Sequence, residues 1–563
     1  DALDRAAAAT AAALGLDASA VPEDFVGTPR LREHGDLSVN LALVLASRAK
    51  RPPREVAQIF VEQLGAPPLI DRVEIAGLGF VNVFLKQDWL RESLAEMLTA
   101  GERYGQARRP TGRRVQVEFV SANPTGPLHV GHARNAVLGD ALANLLAATG
   151  DEVEREYYFN DAGGQMDRFG ASVEARYLQL TGHTKAEVPE DGYHGDYITD
   201  IARDIVRQHG DALADLPPEE RLVRLREEGV KRTLASIKTT LARFGVEFDT
   251  FFSEAELARK GEIDAAVQRL LQAGQAYEAD GALWFRSTDY GDDKDRVIVR
   301  SNGVHTYFGA DCAYVVDKFT RGFDHLTYVW GADHHGDVVR VRGAAQALGY
   351  DPAAVEIVLY QFVAFLRGGE PIKMSKRAGA FVSLDELIDE VGTDAARFHL
   401  LSFSPDSPMN FDIEVVKQQT LENPVYYVQY GHARIASILR KAAEQGIEPR
   451  QWTSETLAVL NEEAEFDLIR TLAEFPDVVA AAANGRAPHR VTHYAGEVAH
   501  AFHRFYTDCR VVNQDDDRTT QARLWLSVAA KQVMASALGL LGVASPESME
   551  RLSGDEAEDE SDG

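Results

Sequence analysis

The spacing of apolar and polar positions changes along the chain, and each change marks an element. From residue 1 to about 108, helical and strand-like stretches alternate. DALDRAAAATAAALGLD predicts an opening helix, and LSVNLALVLASRAK (37–50) carries apolar residues at helical spacing. VEIAGLGFVNVFLK (73–86) is β-branched and aromatic, and Gly77 and Gly79 interrupt it, so it predicts strands joined by a turn. RRPTGRR (108–114) is a linker. After it come an apolar strand, VQVEFV (115–120), a loop of small turn-forming residues, SANPTGPLHVGH, and an amphipathic helix, ARNAVLGDALANLLAATG (133–150), closed by Gly150. EVEREYYFND (152–161) is the next strand. Strand, loop, helix and strand in this order open a doubly wound α/β sheet, which binds ligands at the carboxyl ends of its strands.

From about 170 to 285 the text is polar and mostly helical and reads as an insertion. The sheet is expected to resume with RVIVR (296–300), strand-like text at 305–308, and HLTYVWGADHH (325–335). VEIVLYQFVAFL (355–366) leads into the loop GGEPIKMSKRAG. From about 393 strand signals fade and helical periodicity takes over, in DAARFHLLSF, VYYVQYGHARIASILRKAAE and LWLSVAAKQVMASALGLLGV, which predicts an α-helical bundle.

The 563 residues are enough for about three or four domains. With 45% hydrophobic and 26% charged residues the balance is that of a globular chain. No apolar run reaches the roughly 18–20 residues that cross a bilayer, and the N-terminus lacks the basic region of a signal peptide, so no membrane partner is expected. The two cysteines, Cys312 and Cys509, cannot form a disulfide framework or a Cys-rich zinc site, which fits a reducing cytoplasm. The net charge of −28 argues at first against a nucleic-acid partner. Net charge governs long-range steering, however, whereas phosphate contacts need only a local basic surface. Part of the acid also lies in the tail, GDEAEDESDG, read as a disordered, solvated end.

HVGH (129–132) follows a strand and opens a helix, whose N-terminal N–H groups and dipole suit a phosphate. Gly131 would let a planar base approach the backbone, and His129 and His132 could donate to a phosphate whose charge builds in a transition state. Alone, HVGH could equally be two loop histidines capping a helix. In KMSK (373–376), Lys373 and Lys376 are compact charges suited to phosphate in a Gly-flanked loop that could close over a ligand. Alone, a short K-x-x-K is more often an exposed basic loop.

Together, in this order and in an α/β context, the motifs resemble the HIGH and KMSKS signatures of class I aminoacyl-tRNA synthetases, although this chain has KMSKR. The resemblance implies adenylate formation from an amino acid and ATP, followed by transfer to the tRNA 3′ end. His129, His132, Lys373 and Lys376 would carry the catalysis. Pro127, Gly131, Asn135, Met374 and Ser375 would join them in holding ATP, with Mg2+ accompanying the substrate.

Most of the chain further resembles the arginyl-tRNA synthetases. The similarity is carried by EFVSANPTGPLHVGHARNAVLGD (118–140), YYFNDAGGQM (157–166), KDRVIVRSNGVHTYFGADCAY (294–314), GADHHGD (331–337) and NPVYYVQYGHARIASILR (423–440). EHGDLSVN (33–40) and AGLGFVNVFL (76–85) resemble the family's extra tRNA-binding domain. A guanidinium needs planar, acceptor-only partners, ideally carboxylates. Glu118 ends the strand before the HVGH loop, and Asp311 follows Tyr307 by one helical turn if the segment is helical. The resemblance assigns Glu118, Tyr307 and Asp311 to the guanidinium, and Ser121, Asn123 and His335 to the substrate's ammonium and carboxylate. Asp333, His334 and His335 also spell the DHH of a family of metal-dependent phosphoesterases. No further ligands of that family are placed to join them, and no metal site is expected.

For tRNA(Arg), the resemblance points to Phe80 and Asn82 near the tRNA elbow, and to Tyr427, Tyr430, Arg434 and Tyr506 in the helical bundle, where splayed bases can stack on aromatic side chains. DAAR (394–397) is either an echo of the DALR motif that names the anticodon-binding domain or a plain helix start. The expected organisation is an α+β N-terminal domain (1–108) and a Rossmann-like catalytic domain (113–392) with the insertion and the KMSK loop (369–380). An all-α anticodon-binding bundle (393–550) and the tail (551–563) follow. A monomer acting on arginine, ATP and tRNA is expected. The rivals are another class I synthetase, a nucleotidyltransferase that uses no tRNA, and a tRNA-binding paralogue without catalysis. A cysteinyl enzyme would want zinc-binding cysteines that are missing here.

Overall fold

The computed structural model describes residues 2–22, 24–27, 29, 31–161, 163–372 and 382–549. Lys373, Met374, Ser375 and Lys376 and the acidic tail lie outside the described residues. The chain forms two compact units.

The first unit comprises 1–101 with 447–473 and 504–529. Its core is a four-stranded antiparallel sheet in the order Val26–Gly27, Leu37–Val39, Phe80–Leu85, Ile70–Ala76. Alternation on Phe80–Leu85 sends Val81 and Val83 into a core shared with Ala7, Leu41, Leu45 and Phe60 of the helices Ala2–Ala13, Leu41–Ala49 and Pro53–Leu64. The hairpin turns at Gly77 and Gly79, which have positive φ, and a Cβ on Gly79 would meet the Pro53 carbonyl at 3.0 Å. The segment expected as one helix at 37–50 starts as the strand Leu37–Val39. That strand supplies the sheet's buried Val39 before the helix begins.

The second unit comprises 102–446, 474–503 and 530–563. At its centre lies a five-stranded, all-parallel sheet in the order Val355–Tyr360, His325–Gly331, Arg114–Glu118, Glu152–Phe159, Thr250–Ser253. From Arg114–Glu118 the chain winds outward through Glu152–Phe159 and Thr250–Ser253. It then crosses back to His325–Gly331 on the other side. The reversal makes the carboxyl ends of Arg114–Glu118 and His325–Gly331 the switch point, where open α/β sheets bind ligands. Gly139 lets the following helix lie close on the sheet, since a Cβ there would fall 2.1 Å from the Phe119 ring.

Several strands lie elsewhere than the periodicity predicts. Thr250–Ser253, inside the polar stretch read as insertion, is an edge strand of the main sheet. Arg296–Val299 does not continue that sheet. It pairs antiparallel with Ala282–Phe285, which pairs with Ala276–Ala279. At 305–308 only His305 makes a bridge, to Val299. Thr306 instead caps the helix Tyr307–Thr320, its hydroxyl accepting from the Gly309 N–H at 3.3 Å, so local capping overrides the β-like text. The run 355–366 divides between Val355–Tyr360 and Val363–Arg367. The second of these pairs in parallel with Met409–Asp412, a strand in a region where only helices were expected.

The described residues from 424 onwards are helical, in Pro424–Glu444, Ser454–Leu457, Glu463–Ala473, Phe475–Asn484, His489–Asp508 and Asp517–Leu540. The architecture is thus a Rossmann-like α/β domain with a helical insertion, an α+β N-terminal domain and an all-α C-terminal bundle. No described helix is long and apolar enough to cross a membrane.

Candidate active site

HVGH forms a short 3-10 turn, Val130–His132, that feeds the helix Ala133–Ala148. His129 Nδ1 accepts from the Gly131 N–H at 3.1 Å, and His132 Nδ1 accepts from the His129 N–H at 3.2 Å. With both Nδ1 atoms accepting, each neutral ring holds its proton on Nε2 and can donate it. The ring centroids are 3.9 Å apart. The missing side chain at Gly131 also makes room for a neighbouring ring. A Cβ there would lie 2.7 Å from Cε1 of His129, so the glycine accommodates the imidazole itself. Leu128–Val130 is hydrogen-bonded to Val382–Leu384, directly downstream of KMSKRAGAF: Val130 N–H donates to the Val382 carbonyl at 3.1 Å and Leu384 N–H to the Leu128 carbonyl at 2.9 Å.

Behind this loop, Val120 (φ 64°) and Ser121 (φ 43°) are consecutive left-handed residues at the end of the strand. For a β-branched residue that conformation is strained and must be held by its surroundings. Asn135 holds it: its Oδ1 accepts from the Val120 N–H at 2.5 Å, and its Nδ2 donates to the Val329 carbonyl at 2.9 Å. Asn135, expected among the ATP ligands, is buried with its side-chain amide bonded on both sides. It joins the strained turn to the neighbouring strand. The turn directs Ser121 Oγ to Glu118 Oε1 at 3.2 Å, and Tyr158 N–H donates to that same Oγ at 3.2 Å. Asn123 donates to Gln165 Oε1 at 2.7 Å and accepts from the Asn160 N–H at 3.2 Å, tying the loop to the next strand's end.

Opposite stands the helix Tyr307–Thr320. It meets the condition under which Tyr307 and Asp311 share a face. Tyr307 is 64% exposed at the mouth, and its hydroxyl approaches Gly163. Burial, with Glu254, Glu118 and Asp337 nearby, pushes the Asp311 carboxyl up to about 7. Burial also raises Glu254, which accepts from the Tyr158 hydroxyl at 2.5 Å. Glu118 is buried, and its Oε2 is ion-paired to Lys318 Nζ at 2.5 Å. The wall therefore carries three carboxyl groups, of which Glu118 is ion-paired while burial raises Asp311 and Glu254. Such a wall is electrostatically prepared for a cation. His335 is exposed at the start of the helix His335–Ala347, beyond the adjacent strand's carboxyl end.

Three family models match: the arginyl tRNA synthetase N terminal domain over 1–85, the catalytic domain of class I (R) tRNA synthetases over 93–406, and the DALR anticodon binding domain over 428–549. An arginine–tRNA ligase of Carboxydothermus hydrogenoformans is 48% identical over 92% of this chain and 93% of its own length. One of Desulforudis audaxviator is 49% identical over 95% of each. The chain belongs to the arginyl-tRNA synthetase family. The Thermus thermophilus arginyl-tRNA synthetase superposes with a TM-score of 0.74 at 25% identity, covering 97% of this chain and 99% of that one. A Mycobacterium tuberculosis methionyl-tRNA synthetase shares the fold with a TM-score of 0.52 at 13% identity, over 77% of this chain and 92% of that one.

In the structure Ser121 is hydrogen-bonded to Glu118, Glu118 lies near enough to Asp311 to help raise its carboxyl, and Pro127, His129, Gly131 and His132 lie in the loop that follows Asn123. DAAR lies upstream of the matched DALR span, on the helix Thr393–Leu401, with Arg397 fully buried. In the bundle, Tyr427 donates to or accepts from His500 Nδ1 at 2.8 Å, and Arg434 donates to the Tyr430 hydroxyl at 3.0 Å while stacking on its ring. Their neighbours Gln429 and His432 are interior, bonded to Asp394 and to the Pro546 carbonyl. The stripe is therefore part core and part surface. Tyr506 is half-buried. In the first unit Phe80 is exposed, while Asn82 is only 5% exposed. Sequence reasoning missed Tyr158, Glu254 and Lys318. Tyr158 lies within the quoted YYFND, and Lys318 lies two turns beyond Asp311 on the same helical face, a signal that the spacing carried. Nothing near Glu254 marked it.

Proposed function

We propose that the chain is an arginine–tRNA ligase that forms arginyl-adenylate and pyrophosphate from L-arginine and ATP, then esterifies the 3′-terminal adenosine of tRNA(Arg). The observation that carries this reading is the partly buried Asp311 carboxylate facing the Glu118–Ser121 turn, one loop away from HVGH. A guanidinium entering there keeps Asp311 ionised and satisfies its lone pairs, and Tyr307 covers the mouth. Ser121, Asn123 and His335 orient the ammonium and carboxylate. The arginine carboxylate oxygen attacks the α-phosphorus, the bond to the pyrophosphate oxygen breaks, and the adenylate remains. His129 and His132 donate from Nε2 to the developing charge on the α-phosphate. Lys373 and Lys376, with Met374 and Ser375, are assigned to the leaving pyrophosphate from their sequence positions. The substrate is ATP with its Mg2+ ion, which travels with the phosphates. In the second step the terminal ribose hydroxyl attacks the mixed anhydride and AMP departs, so no covalent enzyme intermediate is needed.

Bound tRNA is taken to be required before arginine is activated, with Phe80 and Asn82 at the elbow and Tyr427, Tyr430, Arg434 and Tyr506 at the anticodon. All of the named side chains come from one chain, so a monomer suffices, and a cytoplasmic setting fits the two unpaired thiols. The test is ATP–pyrophosphate exchange with each amino acid in turn, with and without tRNA(Arg). Exchange with arginine that depends on tRNA is expected. Exchange with a different amino acid would point to another class I specificity, and tRNA binding without any exchange would point to a non-catalytic paralogue.

A further inference from the structure

Along the helix Tyr307–Thr320, the residues Tyr307, Asp311, Tyr314 and Lys318 recur at intervals of four, three and four. They therefore share one face. At a rise of roughly 1.5 Å per residue, Lys318 lies about 10 Å along the helix from Asp311 and about 16 Å from Tyr307. Its side chain is fully buried. The ammonium donates to Glu118 Oε2 at 2.5 Å and lies 4.1 and 3.9 Å from the ring centroids of Tyr314 and Tyr328. Two aromatic faces and one carboxylate oxygen thus enclose a charge that would otherwise be costly to bury.

We propose that Lys318 is a positioning residue for arginine recognition, acting through Glu118. The inference rests on the arginine reading given above. Glu118 has acidic neighbours, with Glu156 opposite on the next strand and Asp311 and Glu254 acting on the same pocket. Lys318 gives Glu118 a cationic partner of its own among these acids and fixes the direction of its carboxylate. Of the roughly four lone-pair sites on a carboxylate, one on Oε2 is committed to Lys318 and one on Oε1 to the Ser121 hydroxyl. The rest stay aimed at the incoming guanidinium. The internal ion pair also leaves Asp311 as the carboxylate whose charge the substrate must answer, so the pocket accepts one cation rather than two.

The test is steady-state exchange by the full-length protein with tRNA present, comparing wild type, K318M, E118Q and the double variant K318M/E118Q. The expected result for K318M is a rise of about 30-fold in KM for arginine, with KM for ATP within about twofold of wild type and kcat changed far less than KM. E118Q should give a similar rise, and the double variant should be no worse than E118Q, because the lysine acts only through that carboxylate. If K318M does not fold, the double variant, in which neither member of the pair is left unpartnered, still reports the comparison, and K318Q is read by the same criteria. The proposal is overturned if KM for arginine stays within twofold of wild type, if the arginine and ATP constants rise together, or if the double variant multiplies the two single losses. A wild-type protein inactive with arginine would instead sink the functional reading itself.

Discussion

Arg397 donates to Asp140 Oδ2 at 2.5 Å, and the guanidinium is fully buried. Its remaining N–H groups donate to the carbonyls of Phe244, Gly245 and Leu541, all within 3.0 Å. One side chain thus joins the helix that follows HVGH to the end of the long insertion helix Pro218–Arg243 and to the last helical turn of the bundle. Replacing Arg397 by Met leaves Asp140 charged and three carbonyls without this donor, although Arg155 still reaches Asp140 at 3.2 Å. Breaking a buried pair from one side costs about 3–5 kcal/mol. Urea unfolding of the R397M protein should show a loss of that size. An R397M protein as stable as wild type would mean that these five bonds are energetically idle.

If Asp311 binds the guanidinium as proposed, it ties arginine affinity to pH. In the folded protein its carboxyl is pushed up to about 7, chiefly by burial, from an ordinary value of 3.8. Between those values the folded state holds a proton that the unfolded state has released. The stability contributed by this group is therefore full below about 4 and is lost as pH rises through about 7. Arginine needs the ionised form. Its KM should rise about tenfold for each pH unit below 7 and level off above it. D311N should be more stable than wild type at pH 8 by an amount on the order of 2 kcal/mol, while its KM for arginine rises about 100-fold and that for ATP hardly moves. An arginine KM flat from pH 6 to 8 would contradict this account.

How much of this was readable beforehand follows from the kind of signal each part leaves. HVGH announced itself because a strand, a Gly-Pro loop and a helix start are all local patterns, and the fold class followed from them. That Tyr307 and Asp311 share a face was legible through their spacing once the segment was allowed to be a helix, whereas their assignment to the guanidinium came from the family resemblance. Thr250–Ser253 was hidden, because a four-residue strand between polar helices has no period of its own and is fixed by pairing with Glu156–Phe159. Arg296–Val299 looked like a continuation of the parallel sheet because periodicity cannot say which sheet a strand joins. The Lys318–Glu118 pair spans two hundred positions, and the two bonds of the Asn135 amide are equally non-local, since a loop-flanking amide does not reveal which way it will bond.

Asn135 offers a separation of support from contact. Its amide bonds both the Val120 N–H and the Val329 carbonyl. N135A leaves both groups unpaired in a buried setting and releases a turn that is strained at Val120 and Ser121. A loss of about 2 kcal/mol in stability is expected. Because that turn carries Ser121 to Glu118, kcat/KM for arginine should fall along with that for ATP. An increase in KM confined to ATP, with unchanged stability, would place Asn135 among the nucleotide's ligands.

The bundle's contribution can be read through salt. Arg434 lies over the Tyr430 ring at 4.9 Å and donates to its hydroxyl, so the pair presents a cation and a π-face together, as single-stranded bases and their phosphates require. If Arg434 contacts a phosphate, R434Q should weaken tRNA binding and reduce the slope of log Kd against log salt by about 0.7–0.9. If it instead only holds the Tyr430 ring for stacking, R434Q and Y430L should cost similar affinity, about 1–3 kcal/mol each by analogy with base stacking, and leave the slope unchanged. Filter binding of tRNA(Arg) at several salt concentrations distinguishes these outcomes. Affinity and slope both unaltered would remove Arg434 and Tyr430 from the tRNA surface. Given the chain's net charge of −28, the first outcome is expected. A protein that repels tRNA at long range must hold it through local cations, and each of those on a phosphate should weigh on the salt dependence.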